Sequence, residues 1–242
     1  MRLALRALFL ALLLAPGAAA AGELDFTPYF WIPSVNGSFG TGGDGSGLGD
    51  RVTVDFSQNL RLGGAMVNLG WREGRYVAFG DWTYANVRSS APSPFGRLYS
   101  GVNGQILGNI VQLFSGYAVL DHNDIRLEPF LGARGYGLTG RLGLEAGTAQ
   151  AVDLEDTSRW LDAVIGLRFE SRFAKKWHAN ARVDVGAGGS NLTWQFYLVG
   201  GYEFSWGAPV FGWRYLYVDK GQGALQMKLA LSGPIIGVNF VF

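Results

Sequence analysis

Lys176-Trp177-His178-Ala179-Asn180-Ala181-Arg182-Val183-Asp184-Val185 alternates without a break: Trp177, Ala179, Ala181, Val183 and Val185 share one parity, and His178, Asn180, Arg182 and Asp184 the other. A period of two puts these sets on opposite faces of a β-strand. Leu167 and Phe169 repeat the pattern against Gly166, Arg168 and Glu170, and Trp194, Phe196, Leu198, Tyr202 and Phe204 against Gln195, Tyr197, Gly201 and Glu203. A soluble barrel or sandwich also alternates, with its polar face turned to water. A membrane barrel turns the polar face into its lumen and the apolar face to lipid.

The connections between strands separate these readings. Tight turns fall at Arg72 to Arg75, Asp121 to Asp124, Ala174 to Lys176 and Ser205 to Pro209. Between them lie longer polar or glycine-rich stretches at Gly37 to Asn59, Arg88 to Gly104 and Gly140 to Ser158, then shorter ones at Gly186 to Asn191 and Asp219 to Gly223. Short turns on one rim and longer loops on the other are the habit of outer-membrane barrels. Five loops and four turns join ten strands, and an even number returns both ends to the periplasmic side. We therefore expect an all-β, antiparallel, up-and-down transmembrane barrel of ten strands, with eight strands plus a hairpin as the alternative.

The first residues supply the route. Arg2 and Arg6 precede or interrupt an apolar run from Leu3 to Leu14, and Pro16 leads into an alanine tract offering cleavage near Ala20 or Ala21. This pattern is that of a Sec signal peptide, and the run is shorter than the roughly 20 residues of a spanning helix. Residues 1–21 are expected to be the leader and 22–242 a single barrel domain. No later segment is apolar for as long as a helical span requires, and lipid tolerates only helices and closed barrels.

Composition narrows the chemistry. With no cysteine, thiolate catalysis, disulfides and a lipid anchor on cysteine are excluded. A formal charge of +1 with mixed signs gives no basic field to draw nucleic acid. No cofactor is expected. Gly135, Gly137 and Gly140 spell the dinucleotide fingerprint, but no helix-forming stretch follows, and the motif needs a strand–helix junction. Asp44, Ser46 and Asp50 have Leu48 where a calcium loop needs an oxygen, and no closing glutamate. Of the two histidines, His122 lies in a tight turn and His178 opens a strand just after one. Both belong to the periplasmic rim, away from outer-leaflet lipid, which disfavours a lipid-modifying enzyme with a histidine base.

The inward parity carries the remaining signal. By alternation, Asp81, Glu128, Asp162, Glu170, Asp184 and Glu203 face the lumen, against Arg126, Arg134, Arg168, Arg182 and Arg214. Buried charges need partners, and the signs nearly balance, so we expect a bridged network centred on Arg168, Arg182, Asp184 and Asp162. An ion-selective pore favours one sign; the balance favours an interior plug over a path for a small polar solute. Tyr29 and Trp31, Trp71 and Tyr76, Trp82 and Tyr84, Trp177, Trp206, Tyr215 and Tyr217 lie near strand ends and are expected in the interfacial girdles.

The last strand, Gly233 to Phe242, alternates Pro234, Ile236, Val238, Phe240 and Phe242 on one face. This resembles the C-terminal signal by which bacterial outer-membrane barrels are recognised by the assembly machinery. Trp160-Leu161-Asp162 with Gly166-Leu167-Arg168, Asn180 to Gly186, Leu192-Thr193-Trp194-Gln195 and Gly212-Trp213-Arg214-Tyr215-Leu216 resemble small Gram-negative outer-membrane barrels of the porin-like and outer-membrane-protein-A-like kind, as do Pro28 to Pro33 and Phe79-Gly80-Asp81. Relatives often place proline after the first aspartate, where Ala163 stands here. The resemblance implies an outer-membrane location, lipid and small polar solutes as partners, and no reaction. A non-enzymatic barrel is the expected function; a lipid-modifying enzyme and a soluble periplasmic barrel for an apolar ligand are the alternatives.

Overall fold

The computed structural model describes residues 22–41, 52–53, 61–92, 99–146, 148, 152–221 and 225–242. The expected leader, the Asp44 to Asp50 stretch and the tips of the longest loops lie outside the described residues. In chain order the strands are β1 (Glu23–Trp31), β2 (Ser34–Thr41), β3 (Val52–Thr53), β4 (Arg61–Glu73), β5 (Tyr76–Pro92), β6 (Tyr99–Tyr117), β7 (Leu120–His122), β8 (Ile125–Ala146), β9 (Val152–Phe173), β10 (Trp177–Gly188), β11 (Leu192–Tyr202), β12 (Ala208–Lys220) and β13 (Leu225–Val241).

Ten of them close a ring, β1-β4-β5-β6-β8-β9-β10-β11-β12-β13 and back to β1. β2 carries the first strand onward past Pro33 along β13, and β7 carries β6 past Ala118 along β8. The ring is sealed where Leu24 N–H donates to the Phe242 carbonyl at 3.1 Å and Phe242 N–H returns the bond at 2.9 Å. Closure satisfies the outermost backbone groups that an open sheet would leave bare in lipid. The eight-strand alternative is overturned by this ring.

All four tight turns stand where the sequence puts them. Asn123 and Asp124 have φ of 50° and 62°, the positive values that a two-residue hairpin turn matched to strand twist requires at both positions, and in the three-residue turn after Phe173 Ala174 and Lys175 have φ of 49° and 66°. At the opposite rim the loops are shorter than expected. β5 and β6 extend into Arg88 to Gly104, and β8 and β9, each 22 residues, run into Gly140 to Ser158. Crossing a membrane takes about 9–11 tilted residues, so the wall around β8 and β9 rises well beyond the bilayer. Glycine and polar residues there continue the strands as far as Pro92, Tyr99, Ala146 and Val152.

Burial is inverted relative to a soluble protein. Arg134, Arg214, Gln112, Gln195 and Glu128 are fully buried, while Leu131, Ile165 and Phe211 are about two-thirds exposed. On β10, Arg182 and Asp184 are buried and Val183 and Val185 exposed. That polarity is the one a lipid-embedded barrel needs, and it overturns the soluble-barrel alternative.

One assignment is corrected. Tyr29 and Trp31 belong to no girdle: they are 3% and 5% exposed and face inward, sharing the parity of Glu23, Asp25 and Thr27 on β1. Trp71, Tyr76, Trp82 and Trp177 are exposed on the outward parity, while Trp206 is exposed in the turn at the vestibule mouth. Proximity to a strand end says nothing about which face a ring takes; parity decides it.

Candidate functional site: the barrel lumen

The lumen is built in layers. At the periplasmic mouth is a vestibule of about 700 Å³, lined by Glu23, Asp25, Arg72, Arg126, Glu170 and His178 among others. Arg72 bridges Glu23 at 3.2 Å and also pairs with Glu170. Arg126 reaches Asp121 and Glu128, each at 3.0 Å. Glu203 sits at this rim, partly exposed, 3.7 Å from Arg172 and 3.8 Å from His178 Nδ1. It takes no part in the network deeper in.

Above the vestibule, Glu128 receives Arg168 at 2.6 Å, and Arg168 also meets Glu170 at 3.1 Å. Phe79, Phe114 and Phe130 pack together here, with centroids 5.0–5.1 Å apart. The Arg168 guanidinium lies 4.7 Å from the Phe79 centroid. Glycine makes room: a Cβ at Gly166 would strike the Phe130 ring and the Val183 carbonyl.

The central layer spans the barrel. Asp81 accepts from Tyr29 Oη at 2.6 Å, Gln112 at 3.0 Å, Arg214 at 3.1 Å and Thr83 at 3.2 Å. Asp184 accepts from Arg134 Nη2 at 2.5 Å and Gln195 at 3.2 Å. Arg134 also donates to Gln112 and Thr193, and Arg214 to Gln195 and Tyr29. Gln112 and Gln195 each join an arginine to an acid, accepting through Oε1 and donating through Nε2. These residues come from six strands (β1, β5, β6, β8, β10 and β11) and from β12, so the layer ties the wall together across its diameter.

The centre therefore differs from the one expected. Arg134, Asp184, Asp81 and Arg214, with two glutamines and Tyr29, form it. Arg168 belongs with Glu128 nearer the periplasm, and Asp162 accepts the Ser190 N–H at 2.7 Å. Arg182 is buried against Asp184 at 3.8 Å. Charge alternation marks the inward residues but carries no height along a tilted strand, so it does not fix which of them meet. Gln112 and Gln195 hold the inward parity too, but carry no formal charge to set them apart in the sequence.

Beyond the polar layer the lumen turns apolar. Trp31, Met66, Ile110, Tyr136, Leu216, Val218 and Met227 are buried and belong to one cluster, against which Trp160 and Leu231 pack. Tyr136 stacks on Trp160 at 4.7 Å, and the Trp160 indole donates to Ser190 Oγ at 2.8 Å. Arg214 lies 4.5 Å from the Trp31 ring centroid, joining the two layers. Gln112 pairs with Arg134 across β6 and β8, and Ile110 with Tyr136 two residues farther from the turn, which fixes the order of the layers.

No family model matches the chain, and no curated protein sequence matches it. Solved barrels do. The translocator domain of the autotransporter NalP from Neisseria meningitidis is 16% identical, with a TM-score of 0.50, 99% of this chain and 94% of that one being covered. The attachment invasion locus protein Ail of Yersinia pestis is 12% identical at a TM-score of 0.39, covering 90% and 99%. The outer membrane protein OprG from Pseudomonas aeruginosa is 8% identical at 0.36, covering 91% and 95%. The likeness to the NalP domain is one of fold.

Proposed function

We propose that this chain is an integral outer-membrane protein, exported by the Sec route, whose barrel is a sealed structural element of the envelope and neither a pore nor an enzyme. The observation that carries this reading is the central layer: Arg134, Arg214, Gln112 and Gln195 have no exposed surface, with an apolar layer packed above them. An ion crossing the lumen would have to break several charge-assisted hydrogen bonds at once and leave charges unpaired in a dry interior. The apolar outer surface, closed ring and paired ends support residence in lipid. The strand ending at Phe242 is assigned to recognition by the barrel-assembly machinery, and the surrounding lipid is the barrel's standing partner. A non-enzymatic role is supported by the histidines: His122 is exposed at the end of β7, beside the turn, and His178 lines the periplasmic vestibule, both at the rim opposite the long loops.

Single-channel recording on the refolded protein in a planar bilayer tests it. A folded barrel that stays silent is the expected result. Discrete, reproducible conductance steps overturn the seal and make the lumen a narrow passage for small solutes.

A further inference from the structure

The buried charges do not balance. Among the described residues five buried cations, Arg134, Arg168, Arg182, Arg214 and Lys220, stand with four buried carboxylates, Asp81, Glu128, Asp162 and Asp184. The two acids of the central layer are already engaged: Asp184 Oδ1 by Arg134 and Oδ2 by Gln195, Asp81 Oδ2 by Tyr29 and Oδ1 by Gln112, Thr83 and Arg214. Arg182 Nε stands 3.8 Å from Asp184, beyond hydrogen-bond reach. Arg182 Nε and Nη2, and Nη2 of Arg214, are buried with no hydrogen-bond acceptor among the described residues. Arg182 lies beside Asp184 and Arg214 beside Asp81, both acids with oxygens already taken. Ring faces offset part of the surplus: the Arg182 guanidinium lies 5.1 Å from the Tyr197 centroid and 5.5 Å from those of Phe79 and Phe114. Rings meet the face of a guanidinium and leave its N–H edge unanswered.

We infer that Arg182 is the centre of a binding site for one small monovalent inorganic anion of chloride size. A single negative charge cancels the surplus, and the orphan N–H groups supply charge-assisted donors for it. Phe79, Phe114 and Tyr197 wall the site closely, which excludes larger or doubly charged anions. Entry is from the periplasm, because Tyr197 and Arg168 line the vestibule and Arg182 packs directly behind Tyr197. The site goes beyond the sealed-barrel reading and does not depend on it.

The test follows the folded band of the purified barrel on unheated gels as temperature rises, with sodium bromide replacing sodium gluconate at constant ionic strength. A ligand that binds only the folded state raises its stability saturably. The unfolding midpoint is expected to climb by a few degrees and level off with bromide, and to stay flat with sulfate. Crystals of the unaltered protein grown in bromide are expected to show an anomalous peak within hydrogen-bond reach of Arg182. Arg182→Met should abolish the bromide response; if that variant does not fold, the bromide titration and the anomalous map of the unaltered protein decide alone. A midpoint that does not respond, or rises without levelling, or a map with no bromide at Arg182, overturns the site. Conductance steps in a barrel that still binds bromide would overturn the seal alone, and a silent barrel indifferent to bromide would overturn the anion site alone.

Discussion

Asp184 shows what one buried carboxylate does in this lumen. It holds Arg134 at 2.5 Å and Gln195 at 3.2 Å, with Arg182 beside it, so Asp184→Ala leaves two buried cations with reduced compensation. Removing one partner of a buried pair costs about 3–5 kcal/mol, and urea unfolding of the refolded barrel should register a loss of that order. Asp121, which meets Arg126 at the partly exposed rim, makes the contrast: Asp121→Ala should change stability by less than ~1 kcal/mol. The chemistry of both residues was legible in the sequence, and the difference between them was only half so. Parity put Asp184 inward, but depth within the lumen depends on strand tilt and stagger, which no single strand encodes. Tyr29 makes the same point from the other side. Its ring looked interfacial beside Trp31, yet its hydroxyl lies 2.6 Å from Asp81, a residue of another strand.

At the scale of the element, the hairpin turn between β9 and β10 holds an avoidable cost. Ala174 has φ of 49°, a left-handed conformation that residues bearing a Cβ adopt at a penalty of roughly 1–2 kcal/mol. Asparagine and glycine adopt that conformation at less cost than alanine or lysine. Replacing Ala174 and Lys175 by Asn and Gly should therefore raise the urea midpoint, by an amount equivalent to about 1 kcal/mol. The turn's position was readable from the break in alternation, whereas its dihedral angles were not, since neither glycine nor asparagine flags them. The outer face of β8 and β9 offers a second measurement. Leu131 and Ile165 are register partners on the lipid-facing surface, and Leu131→Arg at mid-membrane depth should cost about 2–4 kcal/mol. An effect near zero would place that surface in water. Where these strands run past the bilayer, the sequence carries no boundary: glycine and polar residues look alike in a loop and in a strand that both meet water.

For the whole molecule, the inversion of burial was the most legible property, because it needs only a period of two and a decision about which face is inside. The counting of strands followed from the alternation of short and long connections, and the ring holds ten. What the chain could not announce is how its interior divides into a charged vestibule, a cross-linked polar layer and an apolar layer, since that depends on residues brought together from both halves. Asp81 and Arg214 meet across 133 positions. If the lumen is sealed as proposed, mass spectra of lipid A from cells with and without the protein should be identical, and a new modified species would revive the enzymatic alternative.

The seam between β1 and β13 sets the order of events during folding. Leu24 and Phe242 exchange their backbone hydrogen bonds across nearly the whole chain, and Tyr29 meets Arg214 from opposite ends of the same sequence. Pairings of such long separation form slowly, because the loop must close before the contact rewards it. The nine pairings that run round the ring from β1 to β13 join neighbours in chain order and can form locally, and only the seam between β1 and β13 has to wait for the last strand. The wall and the layer inside it consequently complete together, in one late step. Once made, that step joins lock and hinge in a single barrier to opening, and the barrel's persistence is governed by the rate at which the seam parts.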